Sequence, residues 1–200
     1  AYVIKLVPAV VAGGGVIDTT GVTLTITVSQ NPATDTVAKT ATIVLNSGET
    51  SSATSDDTVT GDKTASTSTA AATIVTTLKN ANGSTTIGES YTATVSGPGL
   101  LGSAANTGTT ISGSATGRAL TVKAGDVVKV FPDGSSGVST VTISSAAGVV
   151  LGTKSLTFYG DAATATATVV KSIIAASNNQ SAILVNLKDA AGTAVTKATT

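Results

Sequence analysis

The chain has no cysteine, no histidine, no methionine and no tryptophan, and the first two absences each close off a class of chemistry. Without cysteine there is no disulfide, no thiolate nucleophile and no thiolate metal site. Without histidine the usual general base, the Ser-His-Asp arrangement and the commonest transition-metal ligand disappear together. The many serines therefore lack an evident activator, and the chain is not read as an enzyme. Aromatic residues are 2% of the chain. Tyr2, Tyr91, Phe131, Phe158 and Tyr159 lie too far apart for a sugar platform or a base-stacking surface, and are expected as core plugs or edge fillers.

Charge is equally scarce. Only 11% of residues are charged, 11 basic against 11 acidic, so nothing steers the chain toward phosphate backbones or anionic lipid. Nucleic acid is not an expected partner. No apolar run approaches the roughly 20 residues of a membrane helix, so direct membrane insertion is not expected either. The start, Ala1-Tyr-Val-Ile-Lys5-Leu-Val-Pro8, lacks the n-region and long apolar core of a signal peptide, which suits a mature chain or an excised piece. A neutral surface of Thr, Ser, Asn and Gly also lacks the net repulsion that keeps proteins apart, which makes self-association into a homopolymer an expectation.

What is present points to strands. Apolar residues are 41% of the chain, and Thr is roughly a fifth of it. Branching at Cβ restricts χ1 and suits a pleated surface, so the expected class is all-β. Period-two alternation is clearest where Leu24, Ile26 and Val28 interleave with Thr23, Thr25 and Thr27. Similar segments are Ala41-Ile43-Leu45, Tyr91-Ala93-Val95, Leu120-Val122, Val141-Ile143, Leu156-Phe158 and Ile183-Val185-Leu187. Turn-rich stretches such as Asn46-Ser-Gly48, Asn82-Gly83 and Asp133-Gly134 separate them, as in a sandwich. The stretch Lys171 to Leu187, interrupted by Ser177-Asn-Asn-Gln180, is read as two strands rather than a helix.

Two internal echoes set a period. Leu78-Lys-Asn-Ala-Asn-Gly83 returns as Leu187-Lys-Asp-Ala-Ala-Gly192, with residues 78 and 187 lying 109 apart. A strand, loop and strand at Gly21 to Val28 and Ala38 to Leu45 return at Gly137 to Ile143 and Gly152 to Tyr159, with Lys39 and Lys154 lying 115 apart. A spacing near 110 is the length of an immunoglobulin-like domain. The expected organisation is tandem immunoglobulin-like β-sandwich domains: 1–65 the later part of one with a Ser-, Thr- and Asp-rich connector, 66–165 a complete one, and 166–200 the opening strands of another. If the 200 residues stand alone, the two end pieces together make one sandwich, and successive molecules can share it by strand addition into a filament. If they are an excerpt, the cuts fall inside two domains.

Few motifs carry chemistry. Gly97-Pro-Gly99-Leu-Leu-Gly102 matches G-x-G-x-x-G, but the Thr- and Gly-rich sequence after it opens no helix to meet a pyrophosphate, so it is read as a sandwich turn. Asp56, Asp57 and Asp62 are the candidate calcium ligands, since calcium takes carboxylate oxygens and stiffens linkers; Asp126, Asp133 and Asp161 are weaker candidates. Asn82-Gly-Ser84 and Asn179-Gln-Ser181 fit the N-glycosylation pattern, and the Ser/Thr tracts are possible sites for O-linked glycans. The plain alternative at Asn82-Gly83 is a hairpin turn.

Three segments carry a family resemblance: Leu187 to Val195, Tyr91-Thr-Ala-Thr-Val-Ser-Gly-Pro-Gly-Leu100 and Ser155-Leu-Thr-Phe-Tyr-Gly160. They resemble the bacterial Ig-like repeats of invasin and intimin type, over about the last two-thirds of the chain. The motifs are degenerate sandwich turns, so they point to an architecture and bring no catalytic residue with them. The resemblance implies structural spacing or adhesion outside a bacterial cell. The expected function is a structural cell-surface protein whose repeats self-assemble into a surface layer or filament. The alternatives are an adhesin stalk and a phage virion decoration protein.

Overall fold

The computed structural model describes residues 2–6, 22–26, 37–85, 88–108, 110–174, 176 and 181–196, and is all-β, with no helix among them. The chain divides into two units, 1–35 and 36–200. In the first, β1 (Tyr2–Leu6) pairs antiparallel with β2 (Val22–Ile26), from Tyr2↔Ile26 to Leu6↔Val22. Leu24 and Ile26 thus lie in a strand as the alternation predicts; Val28 lies outside the described residues.

The described residues of the second unit form three sheets. Five strands run in the order β4 (Thr60–Asp62), β11 (Val150–Tyr159), β10 (Gly137–Ser145), β6 (Tyr91–Ser96) and β8 (Ala119–Val122). Four run in the order β3 (Thr40–Ser47), β5 (Ala72–Lys79), β9 (Asp126–Phe131) and β7 (Leu100–Ala105). These two sheets share one core, as in a β-sandwich. Tyr91, Ala93, Val141, Ile143, Leu156 and Phe158 come from one side, and Leu45, Ile74, Leu78, Leu101, Val128 and Val130 from the other. Alternating strands put every second side chain into that layer, which is why the Thr-rich sequence turns its hydroxyls outward.

The expected boundary near residue 65 does not fall between two folds. β3 is bonded along its length to β5, from Thr40↔Lys79 to Ser47↔Ala72, and β4 pairs parallel with the end of β11. Residues 40–62 therefore complete the sandwich that the sequence reading begins at 66. The Ser/Thr-rich stretch between them is tied down by backbone bonds, among them Asp57 N to Leu45 O at 2.9 Å and Thr157 N to Val59 O at 3.0 Å.

The outer face of the four-stranded sheet is also covered. Residues 110–117 cross it as a strap, with Ile111 N donating to Glu49 O at 2.9 Å and Ala115 N to Thr67 O at 2.9 Å. Ile111 of the strap and Val127 and Phe131 of β9 are all buried. Gly102 on β7 lets it approach, because a Cβ there would land on the Ser114 carbonyl.

The third sheet is a ribbon, β12 (Ala162–Val169) against β13 (Ile183–Asp189), paired from Ala162↔Asp189 to Val169↔Ile183. Only one strand, β13, forms within the described part of 171–187; Lys171 to Ile174 lie outside any strand, where the sequence reading expects a second.

The repeated turn is the same structure twice. After β5, Asn80 Oδ1 accepts from Asn82 N and Ser84 N at 3.0 Å each, and Asn80 N donates to Ser84 O at 2.9 Å. After β13, Asp189 Oδ1 accepts from Ala191 N at 2.9 Å and Thr193 N at 2.8 Å, and Asp189 N donates to Thr193 O at 2.9 Å. Gly83 and Gly192 take φ of 79° and 83°, which L side chains avoid. The bridges Lys79↔Thr85 and Lys188↔Ala194 close the two turns alike.

Candidate functional site

The carboxylates singled out as calcium ligands are occupied by protein donors. Asp56 Oδ1 accepts from Leu45 N at 2.8 Å and its Oδ2 from Lys154 Nζ at 2.5 Å. The Lys154 hydrogen bond, then the Leu45 amide, hold its carboxyl below the usual carboxylate range. Asp57 Oδ2 accepts from Ser47 N at 2.8 Å. Asp62 Oδ1 accepts from Thr64 N at 2.8 Å and Thr64 Oγ1 at 2.7 Å. Among the described residues no group of three or more His, Cys, Asp or Glu is placed to hold a metal ion, so Asp56, Asp57 and Asp62 are not gathered into a cage. Two of them pin the 48–59 loop to β3, and the third caps its own turn.

The weaker candidates are dispersed as well. Asp126 opens β9, and its carbonyl accepts from the Tyr91 hydroxyl at 2.9 Å. Burial pushes that phenol up to about 12. Asp161 pairs with Lys63 at 2.6 Å on the surface. Asp133 Oδ2 accepts from Gly99 N at 2.7 Å, inside the G-x-G-x-x-G segment. Burial disfavours its charge, but the Gly99 and Ser135 donors and Arg118 outweigh burial and keep the carboxyl low. Gly97 and Gly99 have φ of 78° and 115°, and the segment turns β6 into β7. Arg118 donates to the carbonyls of Val95, Gly97 and Gly99, locking the corner. The expected sandwich turn is therefore what the structure holds.

Lys129 was not singled out by the sequence reading. Its side chain is fully buried on the strap side of β9, with Nζ donating to Glu49 Oε1 at 2.8 Å and to the Ile111 carbonyl. Its signal was visible as one cation inside Val127-Val-Lys-Val-Phe131. The Lys129 hydrogen bond holds the Glu49 carboxyl low. The ion pair anchors the strap and faces no cleft.

The hollows of the second unit offer little chemistry. One, lined by Thr76, Leu78, Thr85, Gly88, Ala124 and neighbours, has no ionisable lining residue. Two others flank Gly160, where Asp189 Oδ2 accepts from Gly160 N at 2.8 Å and Lys63 is paired with Asp161. Asn82 lies in its exposed turn, and Asn179 lies outside the described residues.

The feature that calls for a partner is the ribbon. Every residue of β12 is exposed, and β13 presents Ile183, Leu184 and Val185 at 59%, 52% and 56% exposure. Val169, Val170, Ile173 and Ile174 are exposed as well. Among the described residues β12 pairs on one side only, and the second side of β13 is paired only at its end, by the Lys188↔Ala194 bridge. The sequence reading placed a strand at Ile183-Val185-Leu187 and gave no measure of what it buries.

No protein-family model matches the sequence, and no curated protein matches it. Among solved structures, the chain is similar to a glycosyl hydrolase family 2 member from Bacteroides cellulosilyticus, at 15% identity and a TM-score of 0.41. The match covers 71% of this chain and 16% of that one. A likeness of this size carries no activity to the present chain.

Proposed function

We propose that the chain is a structural protein of the bacterial cell surface, built of tandem immunoglobulin-like units that self-associate into a layer or filament. The observation that carries this reading is the ribbon at 162–189, with exposed Val169, Ile183, Leu184 and Val185 and, among the described residues, a β12 paired on one side only. Equal numbers of acidic and basic residues support it, because long-range repulsion does not oppose association. The turn repeated 109 residues apart supports the tandem arrangement, since residues 183–194 have the register and turn chemistry of 74–85. The resemblance to invasin- and intimin-type repeats supports a place outside the cell.

Sedimentation velocity over a concentration series tests the reading. The expected result is a sedimentation coefficient that rises with concentration. A species that stays monomeric at every concentration would favour a passive adhesin stalk instead.

A further inference from the structure

We propose that Asp189 is a latch that fixes the β12–β13 ribbon to the sandwich at Gly160, so that one side chain holds the joint between them. The latch sets where the ribbon points, whether or not the chain self-associates.

The repeated turn supplies the first observation. Its side-chain acceptor is Asn80 after β5 and Asp189 after β13, and in both a single oxygen, Oδ1, takes the backbone amides two and four residues on. The turn itself is thus satisfied by an amide side chain, as Asn80 shows. At Asp189 the second carboxylate oxygen serves something else. Asp189 Oδ2 accepts from the Gly160 amide, 29 residues back in the chain, at 2.8 Å. Only a carboxylate accepts on both sides at once, because an Asn at 189 would aim its Nδ2 donor at either the Gly160 N–H or the turn amides.

The second observation is where this bond sits. Gly160 lies between Tyr159, the end of β11, and Ala162, the start of β12, so it is the point at which the sandwich passes into the ribbon. Along β13 the side chains are exposed or half-buried until Asp189, which is only 5% exposed. The ribbon is buried at its foot. A Cβ on Gly160 would come within 3.4 Å of Ser136 Oγ and 3.5 Å of Asp189 Cβ, so the β9–β10 connection, the linker and the ribbon's foot close on one another there.

The strength of the contact rests on the latch. Lys63 pairs with Asp161 of the linker at 2.6 Å, but the Asp161 side chain is 90% exposed, and an ion pair in water contributes little. A backbone amide donating to a buried carboxylate is the stronger kind of bond, and the Gly160 amide holds the Asp189 carboxyl below the usual carboxylate range. Hollows lie on both sides of Gly160, one lined by Ser136, Ala162 and Ala191, the other by Thr64, Tyr159 and Leu187. Packing alone therefore leaves the ribbon room to swing.

The chain has no cysteine, so a pair of nitroxide labels can be placed without side reactions. Thr153→Cys on β11 and Thr166→Cys on β12 are both exposed positions, one on the sandwich and one on the ribbon. The doubly labelled chain is diluted into an excess of unlabelled chain, which removes distances between copies, and pulsed electron spin resonance reads the distance distribution. With Asp189 in place a single narrow distance is expected, and in Asp189→Asn a broad one. Hydrogen exchange on the same chains separates the latch from the turn. In Asp189→Asn the Gly160 amide should exchange about ten times faster, the loss of one charge-assisted hydrogen bond. The amides of Ala191 and Thr193 should keep their protection, since Asn80 holds the equivalent pair. Equal distance distributions in the two chains, or a broad one in the parent, would overturn the latch. Loss of protection at Ala191 and Thr193 along with Gly160 would make Asp189 a turn residue only, and would overturn it as well.

Discussion

At the scale of single residues, the most consequential group is Lys129, a cation with no exposed side-chain surface. Removing its partner leaves a buried charge unpaired, which is costlier than removing both partners. Glu49→Ala should therefore lower the unfolding free energy by about 3 kcal/mol, read from urea denaturation. Lys129→Met combined with Glu49→Gln should recover most of that loss. Glu49, Asp56 and Asp189 also set the response to acid. Lys129 lowers the first, Lys154 and the Leu45 amide the second, and the Gly160 amide the third. A carboxyl whose folded pKa is depressed stabilises the fold above its unfolded pKa, near 4, and that contribution is lost as pH falls through the lower folded value. Urea midpoints should be equal at pH 7 and pH 5.5 and drop below pH 4, and Asp56→Asn should flatten part of the drop. None of these roles was legible in the sequence. Asp56 and Asp57 read as a candidate ion site because spacing alone cannot say that backbone N–H groups of Leu45 and Ser47 donate to one oxygen of each.

At the scale of elements, legibility followed burial on one face. Half-buried strands alternate, so the strands around Ile43, Ala93, Leu120, Ile143 and Leu156 could be read directly. β9 could not, because Val127 through Phe131 are all 0% exposed and a strand buried on both faces has no period of two. β7 was hidden by its glycine pattern, whose purpose is the close approach of the 110–117 strap. Gly102→Ala should push that strap off the sheet, cost about 1–3 kcal/mol and open residues 106–117 to protease, located by mass spectrometry of the first cleavage products. β12 does not stand out in the sequence, since its Ala-Thr alternation buries nothing on either face. The ribbon's exposure gives an opposite prediction for its side chains. Ile183→Lys with Val185→Lys should leave the unfolding free energy of the sandwich unchanged to within about 0.5 kcal/mol while abolishing association.

At the scale of the whole molecule, the 109-residue spacing was legible because a turn that needs Leu, Lys, a side-chain acceptor and Gly at fixed offsets repeats its residues when it repeats its hydrogen bonds. The boundary near 65 was not legible. The Lys39 and Lys154 echo aligns β3 with β11, whereas hydrogen bonding places β3 beside β5, a long-range choice that local sequence does not encode. The resulting picture is of a near-neutral chain with one well-packed sandwich and one exposed ribbon. Its central claim is that this ribbon drives assembly, and electron microscopy of the native chain beside the Ile183→Lys, Val185→Lys variant tests it most directly. The account predicts filaments or sheets in the parent, unchanged on chelation because Asp56, Asp57 and Asp62 are held by protein donors, and dispersed particles in the variant. Dispersed particles in the parent at high concentration, or assemblies that survive in the variant, would contradict it.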